Sequence, residues 1–271
     1  MKLSNKLFCL DSKIDLLHKY CEVFLNSDEN QLSKFSQLSV YPTFLFDGFP
    51  GTGKSSVANI IYEKLKKADH NIDVVRLNID ELISHNFGES SSNLREYFRK
   101  RKNEIKENNS YCFIIMDEVD SFTINRYQND NESIKRILLT FNTIIDELVR
   151  SGEIYRYIIV ATTNIKESID ASILRRFYFK ENFNIELDEE SFRNFLLVLN
   201  DLTSLGVEDS SISEIFELYR QKKYTLGEVK SVFSRLYVNN LISGKTENLD
   251  PEFFREYETF YEITQSQKVR R

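Results

Sequence analysis

The chain has no tryptophan, only three cysteines, three histidines, three prolines and two methionines among its 271 residues. The shortage of cysteine closes off two kinds of protein. Cys9, Cys21 and Cys112 are scattered, with neither paired spacing nor a histidine cluster beside them, so neither a disulfide framework nor a zinc site is indicated. Thiols so placed suit a reducing interior. No apolar run approaches the ~20 residues that a membrane span requires. The stretch from Met1 to Leu10 meets Asp11 too soon to serve as a signal peptide, so a cytoplasmic location is expected by elimination. Positive charge is also short: the net charge of -6 argues against bulk attraction to nucleic acid or to an anionic membrane. One basic strip, Lys100 to Lys102, reads either as a solvated helix face or as a local contact site. With 41% hydrophobic residues and no low-complexity tract, the chain can bury a core, and its length suits one large and one small domain.

Glycine is scarce as well, eight in all, yet three fall within Gly48-Phe49-Pro50-Gly51-Thr52-Gly53-Lys54-Ser55. This fits G-x-x-x-x-G-K-[ST] and lies between an apolar run, Phe44 to Phe46, and a helical pattern opening at Ser56. Glycines at these places let backbone N–H groups wrap phosphates while the following helix presents its positive end to them. The segment Pro50 to Ser56 is therefore expected to hold a nucleoside triphosphate, ATP. Lys54 would reach the β- and γ-phosphates and the Ser55 hydroxyl would ligate Mg²⁺.

Further strand-like runs, Val74 to Leu77, Tyr111 to Met116, Tyr157 to Ala161 and Phe177 to Phe179, alternate with helical patterns. The clearest helix carries Ile134, Ile137, Leu138, Phe141, Ile145 and Leu148 at steps of three and four. With the run before the phosphate loop this predicts an α/β fold, a P-loop NTPase with a parallel five-stranded sheet and helices on both faces. Ahead of it, Ser12-x-x-Asp15 is expected to cap one helix, and Ser27 to Ser39 to form a polar connection, leaving no large N-terminal domain. After the last strand the patterns are helical only. Glu189 to Leu199 and Ser211 to Gln221 are two helices, Thr225-x-x-Glu228 is a capping box for a third, and Asp250-Pro251-Glu252 opens a fourth. Thr264 to Arg271 reads as frayed. The division expected is residues 1–182 as a large ATPase domain and 183–271 as a small all-helical lid.

Phe113-Ile114-Ile115-Met116-Asp117-Glu118 is a buried strand ending in two carboxylates. Such a strand delivers its last side chains to the carboxyl edge of the sheet, where ligands of open α/β sheets bind. Asp117 is then placed to hold hydrated Mg²⁺ and Glu118 to polarise the attacking water. Ala161-Thr162-Thr163-Asn164 ends the next strand with an amide that is either a turn residue or a contact for water and the γ-phosphate. Asp170 to Phe177 carries Arg175 and Arg176, which read as a surface ion pair or as guanidiniums that stabilise a phosphoryl-transfer transition state.

Together these residues resemble the AAA branch of the AAA+ ATPases, over roughly Asp11 to Arg235. Gly48 to Ser55 matches its Walker A, Ile114 to Asp120 its Walker B in the DExD form, and Asn164 its sensor 1. Asp170 to Phe177 looks like the second region of homology, so Arg175 and Arg176 inherit the role of fingers acting on a neighbouring subunit. Arg126 and Glu132 to Asp146 follow the same pattern. The resemblance implies a homohexamer with ATP sites between subunits. It also places a pore loop in Asp80 to Ser90, where Asn86 departs from the family's first aromatic and Phe87 fills the second place, to grip a protein substrate or to anchor the loop. At sensor 2, Thr225-Leu226-Gly227-Glu228 aligns with the family's Ser-Gly-Ala-Asp. Leu226 replaces the glycine there, Gly227 remains as a nucleotide contact, and Lys230 is a candidate charged sensor. Within the family the closest look is to katanin, spastin and the remodellers of HORMA proteins.

The leading expectation is therefore an Mg²⁺-dependent ATP hydrolase that remodels a protein substrate through a central pore, reached through an adaptor or a partner protease. Two rivals stay open: a clamp-loader or helicase-loader machine acting on nucleic acid, disfavoured by the acidic charge, and a nucleotide-gated scaffold.

Overall fold

The structure is a computed structural model that describes residues 7–68, 70–77, 89–120, 132–244 and 246–269. Two compact units divide the chain: Met1–Gly48 with Lys54–Asn182, and Phe49–Gly53 with Phe183–Arg271.

The first unit runs α1 (Asp11–Leu25), α2 (Glu29–Gln37), β1 (Thr43–Asp47), α3 (Lys54–Lys67), β2 (Ile72–Arg76), α4 (Glu89–Asn108), β3 (Tyr111–Met116), α5 (Glu132–Arg150), β4 (Tyr157–Thr163), α6 (Ala171–Leu174) and β5 (Phe179–Asn182). The five strands form one parallel sheet in the order β2-β3-β4-β1-β5. Every residue of β1 and β4 is buried, whereas the edge strand β5 has none buried, as expected when only inner strands are covered on both faces. Successive residues of the inner strands face opposite ways. Leu45, Ile114, Met116, Ile159 and Ala161 join Leu94 and Phe98 of α4 and Ile137, Phe141 and Leu148 of α5 in one core. On the other face Tyr62 of α3 meets Phe113, ring centroids 5.9 Å apart.

Local chemistry corrects four expectations. α1 begins at Asp11 after Leu10, which makes no side-chain cap but is 2% exposed, so a buried anchor sets the start rather than Ser12. The polar stretch Ser27 to Ser39 contains α2, nucleated by a reciprocal capping box between Asp28 and Gln31. The last strand is Phe179–Asn182, because Phe177 is buried in the preceding turn and Tyr178 N–H donates to Thr43 Oγ1 at 3.0 Å. Thr264 to Val269 continue a helix that opens at Phe260 rather than fraying, and residues 270–271 lie outside the described residues.

The second unit carries α7 (Glu189–Thr203), α8 (Asp209–Gln221), α9 (Leu226–Ser243), α10 (Glu252–Glu256) and α11 (Phe260–Val269). Its core is aromatic: Phe192 stacks on Tyr219 with centroids 4.5 Å apart and lies 5.5 Å from Phe216. The ammonium of Lys222 donates to the carbonyls of Phe254, Arg255 and Tyr257, and Thr259 caps α11 through Glu262. The Thr259 and Glu262 pair closes the first turn of the last helix. Among the described residues no helix is long and apolar enough to cross a membrane.

Candidate functional site

The carboxyl ends of β3, β4 and β1 lie side by side, with Met116 opposite Ala161 and Asp47 opposite Thr163. Residues just beyond these pairs therefore share one edge. Asp117 and Glu118 follow β3, Asn164 follows β4, and Lys54 opens α3 after the phosphate loop.

Lys54 is 7% exposed, and its ammonium donates to Gly48 O at 2.5 Å and to Asn164 Oδ1 at 2.9 Å. Burial pushes its pKa down to about 8, partly offset by the carboxylates of Asp120, Asp47, Glu118 and Asp117. A lysine so placed is a desolvated cation at a helix N-terminus, an arrangement that favours an anion. The Ser55 hydroxyl donates to Asp117 Oδ1 at 2.5 Å, and the other carboxylate oxygen lies 3.9 Å from Arg76. Two oxygen donors in contact suit a hard cation such as Mg²⁺, which is commonly held by one or two protein groups plus phosphate oxygens. Among the described residues no three His, Cys, Asp or Glu side chains converge as a metal site.

Glu118 is exposed and has φ +54°, the left-handed region, which costs a non-glycine residue about 1–2 kcal/mol. Its amide donates to Thr162 Oγ1 at 3.2 Å, and Val119 N–H donates to Thr162 O at 2.9 Å, which fixes the turn. Buried Asp120 accepts the Asn164 amide at 3.3 Å. Asp47, also buried, accepts from Lys166 at 3.1 Å and from Asn182 at 2.8 Å. The structure thus brings Lys54, Ser55, Asp117, Glu118 and Asn164 to one sheet edge.

A family model described as the ATPase family associated with various cellular activities (AAA) matches residues 44–187. The chain belongs to the AAA ATPase family. It is similar to a putative cell division cycle ATPase of Plasmodium falciparum, 29% identical over 68% of this chain and 13% of that protein. It is 25% identical to the human pachytene checkpoint protein 2 homolog over 92% of this chain and 58% of that protein. The fold matches a chain in the structure of the E. coli MS115-1 HORMA:CdnC:Trip13 complex, with TM-score 0.70 and 16% identity, over 93% of this chain and 90% of that one. The chain spans a quarter or less of the length of several curated relatives it matches, from 13% to 25%.

In this AAA domain the central phosphate-loop residues belong with the second unit. Phe49 N–H donates to Asn184 Oδ1 at 2.7 Å, and the Phe49 ring lies 5.6 Å from that of Phe260. Gly51 has φ +79°, and a Cβ built on Gly227 would fall 2.6 Å from Gly51 Cα. Neither position accepts a side chain without backbone movement. Thr225 and Glu228 form the expected capping box at the start of α9, and Lys230 is exposed. A cavity of about 640 Å³ is lined by Phe49, Thr52, Asn184, Tyr224, Thr225 and Leu226, among others. Pro50 and Gly53 flank Gly51 and Thr52, and Ser56 lies in the first turn of α3.

The two arginines separate. Arg175 is exposed at the end of α6, while Arg176 donates to Ser172 O at 2.5 Å and to Asp146 Oδ2 at 2.6 Å. Asn86, Phe87 and Arg126 lie outside the described residues. Sequence reasoning gave no role to Asp47 or Thr162, because a lone carboxylate or hydroxyl at a strand end acquires one only from its neighbours across the sheet. Asp120 was within reach, as the last acid of the DExD form.

Proposed function

We propose that this domain hydrolyses Mg²⁺-bound ATP and applies the energy to remodelling a protein substrate, in a ring of identical copies. The observation that carries the reading is the Lys54, Ser55, Asp117, Glu118 and Asn164 edge, where a buried cation, an oxygen donor pair and an exposed carboxylate lie together. The backbone of Pro50 to Gly53 and the first turn of α3, including Ser56, would wrap the phosphates, with Lys54 on the β- and γ-oxygens. Ser55 and Asp117 would hold the metal, which neutralises phosphate charge when bound. Glu118 accepts a proton from the attacking water, and Asn164 orients that water. Gly227, which meets Gly51 backbone to backbone, would keep the loop and α9 in register. Arg175, exposed, is the finger offered to the next copy, and Arg176 braces it from within the same chain.

A protein substrate is favoured over nucleic acid because most of the basic side of α4 is paired, Arg101 with Glu104 and Lys102 and Lys106 with Glu153, while Lys100 stands exposed. The HORMA protein named with the Trip13 structure supports a protein client, gripped by the segment that carries Phe87 and brought by an adaptor or partner enzyme. Glu118→Gln tests the reading. The variant is expected to bind ATP as wild type does while hydrolysis falls by about 10²–10⁴-fold, and to retain its client during purification with ATP. Unchanged turnover removes Glu118 from its role, and ATPase stimulated by DNA but by no polypeptide transfers the domain to the nucleic-acid class.

A further inference from the structure

β4 ends in two threonines that make different contacts. Thr163, fully buried, accepts the Ile165 amide at 3.1 Å and so closes its own turn. Thr162, 2% exposed, reaches across to the neighbouring strand: its hydroxyl donates to Asp117 Oδ1 at 2.9 Å and accepts the Glu118 amide at 3.2 Å. One side chain thus uses its single proton on the carboxylate of one acid and a lone pair on the backbone of the next. The ladder fixes the position of that hydroxyl, because Thr162 is paired with Phe46 and its own carbonyl accepts from Val119.

Both acids need such a support. The Asp117 side chain is 40% exposed and sits past the last residue of β3, with Ser55 holding it from α3. Glu118 holds a left-handed backbone conformation, and its amide finds its acceptor on the neighbouring strand. The geometry points to Thr162 as a positioning residue that sets Asp117 and Glu118 as one unit, so that the metal-holding carboxylate and the water-facing carboxylate are aimed together. This rests on the site taking Mg²⁺-bound nucleotide. Groups that orient a metal-holding side chain typically carry about 10–100-fold of metal affinity or activity.

Thr162→Val keeps the branched shape and removes the hydroxyl, and Thr162→Ser keeps the hydroxyl and removes the methyl. Both are compared with wild type in the whole chain by binding of a fluorescent ADP with and without Mg²⁺, by Mg²⁺ titration of steady-state ATPase, and by thermal melting. The expected result for Thr162→Val is unchanged metal-free ADP binding. The Mg²⁺ concentration for half-maximal effect rises about tenfold or more, and kcat falls with KM for ATP little moved. Thr162→Ser restores the Mg²⁺ response. Should Thr162→Val melt before it can be assayed, Thr162→Ala removes the same hydroxyl with less bulk and is held to the same expectation. A valine or alanine variant with wild-type Mg²⁺ dependence, or a serine variant as impaired as valine, overturns the assignment. A wild type whose ADP binding ignores Mg²⁺ altogether overturns the functional reading beneath it, which is a separate and recognisable outcome.

Discussion

The two units bury polar groups to different ends. In the first, Asp47, Lys54, Asp120, Asn142, Thr162 and Thr163 are buried near strand ends or between helices, each bonded to backbone or to a neighbouring side chain. In the second, the buried polar side chains among the described residues are Thr225 and Thr259, and both cap helices. A buried ion or hydroxyl costs free energy unless it is bonded, so a concentration of them is kept where a ligand or a reaction uses it. The helical unit holds together by aromatic packing and caps; the sheet unit accepts a polar edge. Substitution should therefore impair chemistry in one and stability in the other.

The sharpest way to break that contrast is Arg175→Ala. A finger in trans contributes about 10³-fold or more to turnover, so kcat should fall by that order with the melting temperature unmoved. Mixing with Lys54→Ala chains should restore part of it, because each copy supplies what the other lacks; no recovery at any ratio would place the site within one chain. Arg176→Ala, in contrast, breaks the ties to Ser172 and Asp146 and should lower the melting temperature as well. Next in size is Phe192→Ala in the helical unit, fully buried against Tyr219, expected to cost about 3–5 kcal/mol in denaturant unfolding. A smaller loss would mean that the aromatic core repacks around the gap. Gly227→Ala should cost about 1–3 kcal/mol, since its Cβ meets Gly51 backbone rather than a yielding side chain, and should weaken nucleotide binding along with stability. Stability loss with intact affinity would separate that contact from the ligand.

The smallest effect is in pH. Burial would raise the pKa of Glu153, but hydrogen bonds from Lys102, Lys106 and Ser151 prevail and hold it down to about 2. A carboxylate depressed on folding contributes stability above its unfolded pKa and loses it as pH falls through the folded one. Wild type should thus be more stable than Glu153→Gln at neutral pH, and the two should converge between about pH 4.5 and 2. Equal urea midpoints at pH 7 would show the ion pairs to be screened to nothing.

How legible the molecule was in its sequence follows the same division. The β3 run Tyr111–Met116 was readable to the residue because an inner parallel strand is apolar throughout. The parallel α/β fold and its helical C-terminal region followed from such runs. α2 was missed because its nine residues bury none of their own, so no apolar stripe announces it, although the Asp28 and Gln31 caps were in view. At the candidate site, residues carried by contiguous motifs could be named as candidates: Lys54, Ser55, Asp117, Glu118 and Asn164. Thr162, Asp47 and the unlike surroundings of Arg175 and Arg176 could not, since they depend on what another strand or helix places alongside.

One seam carries a last consequence. Where Gly51 faces Gly227, main chain rests on main chain with no flexible side chain between them to absorb a shift. A side chain gained at either glycine would therefore press backbone against backbone at the first turn of α9.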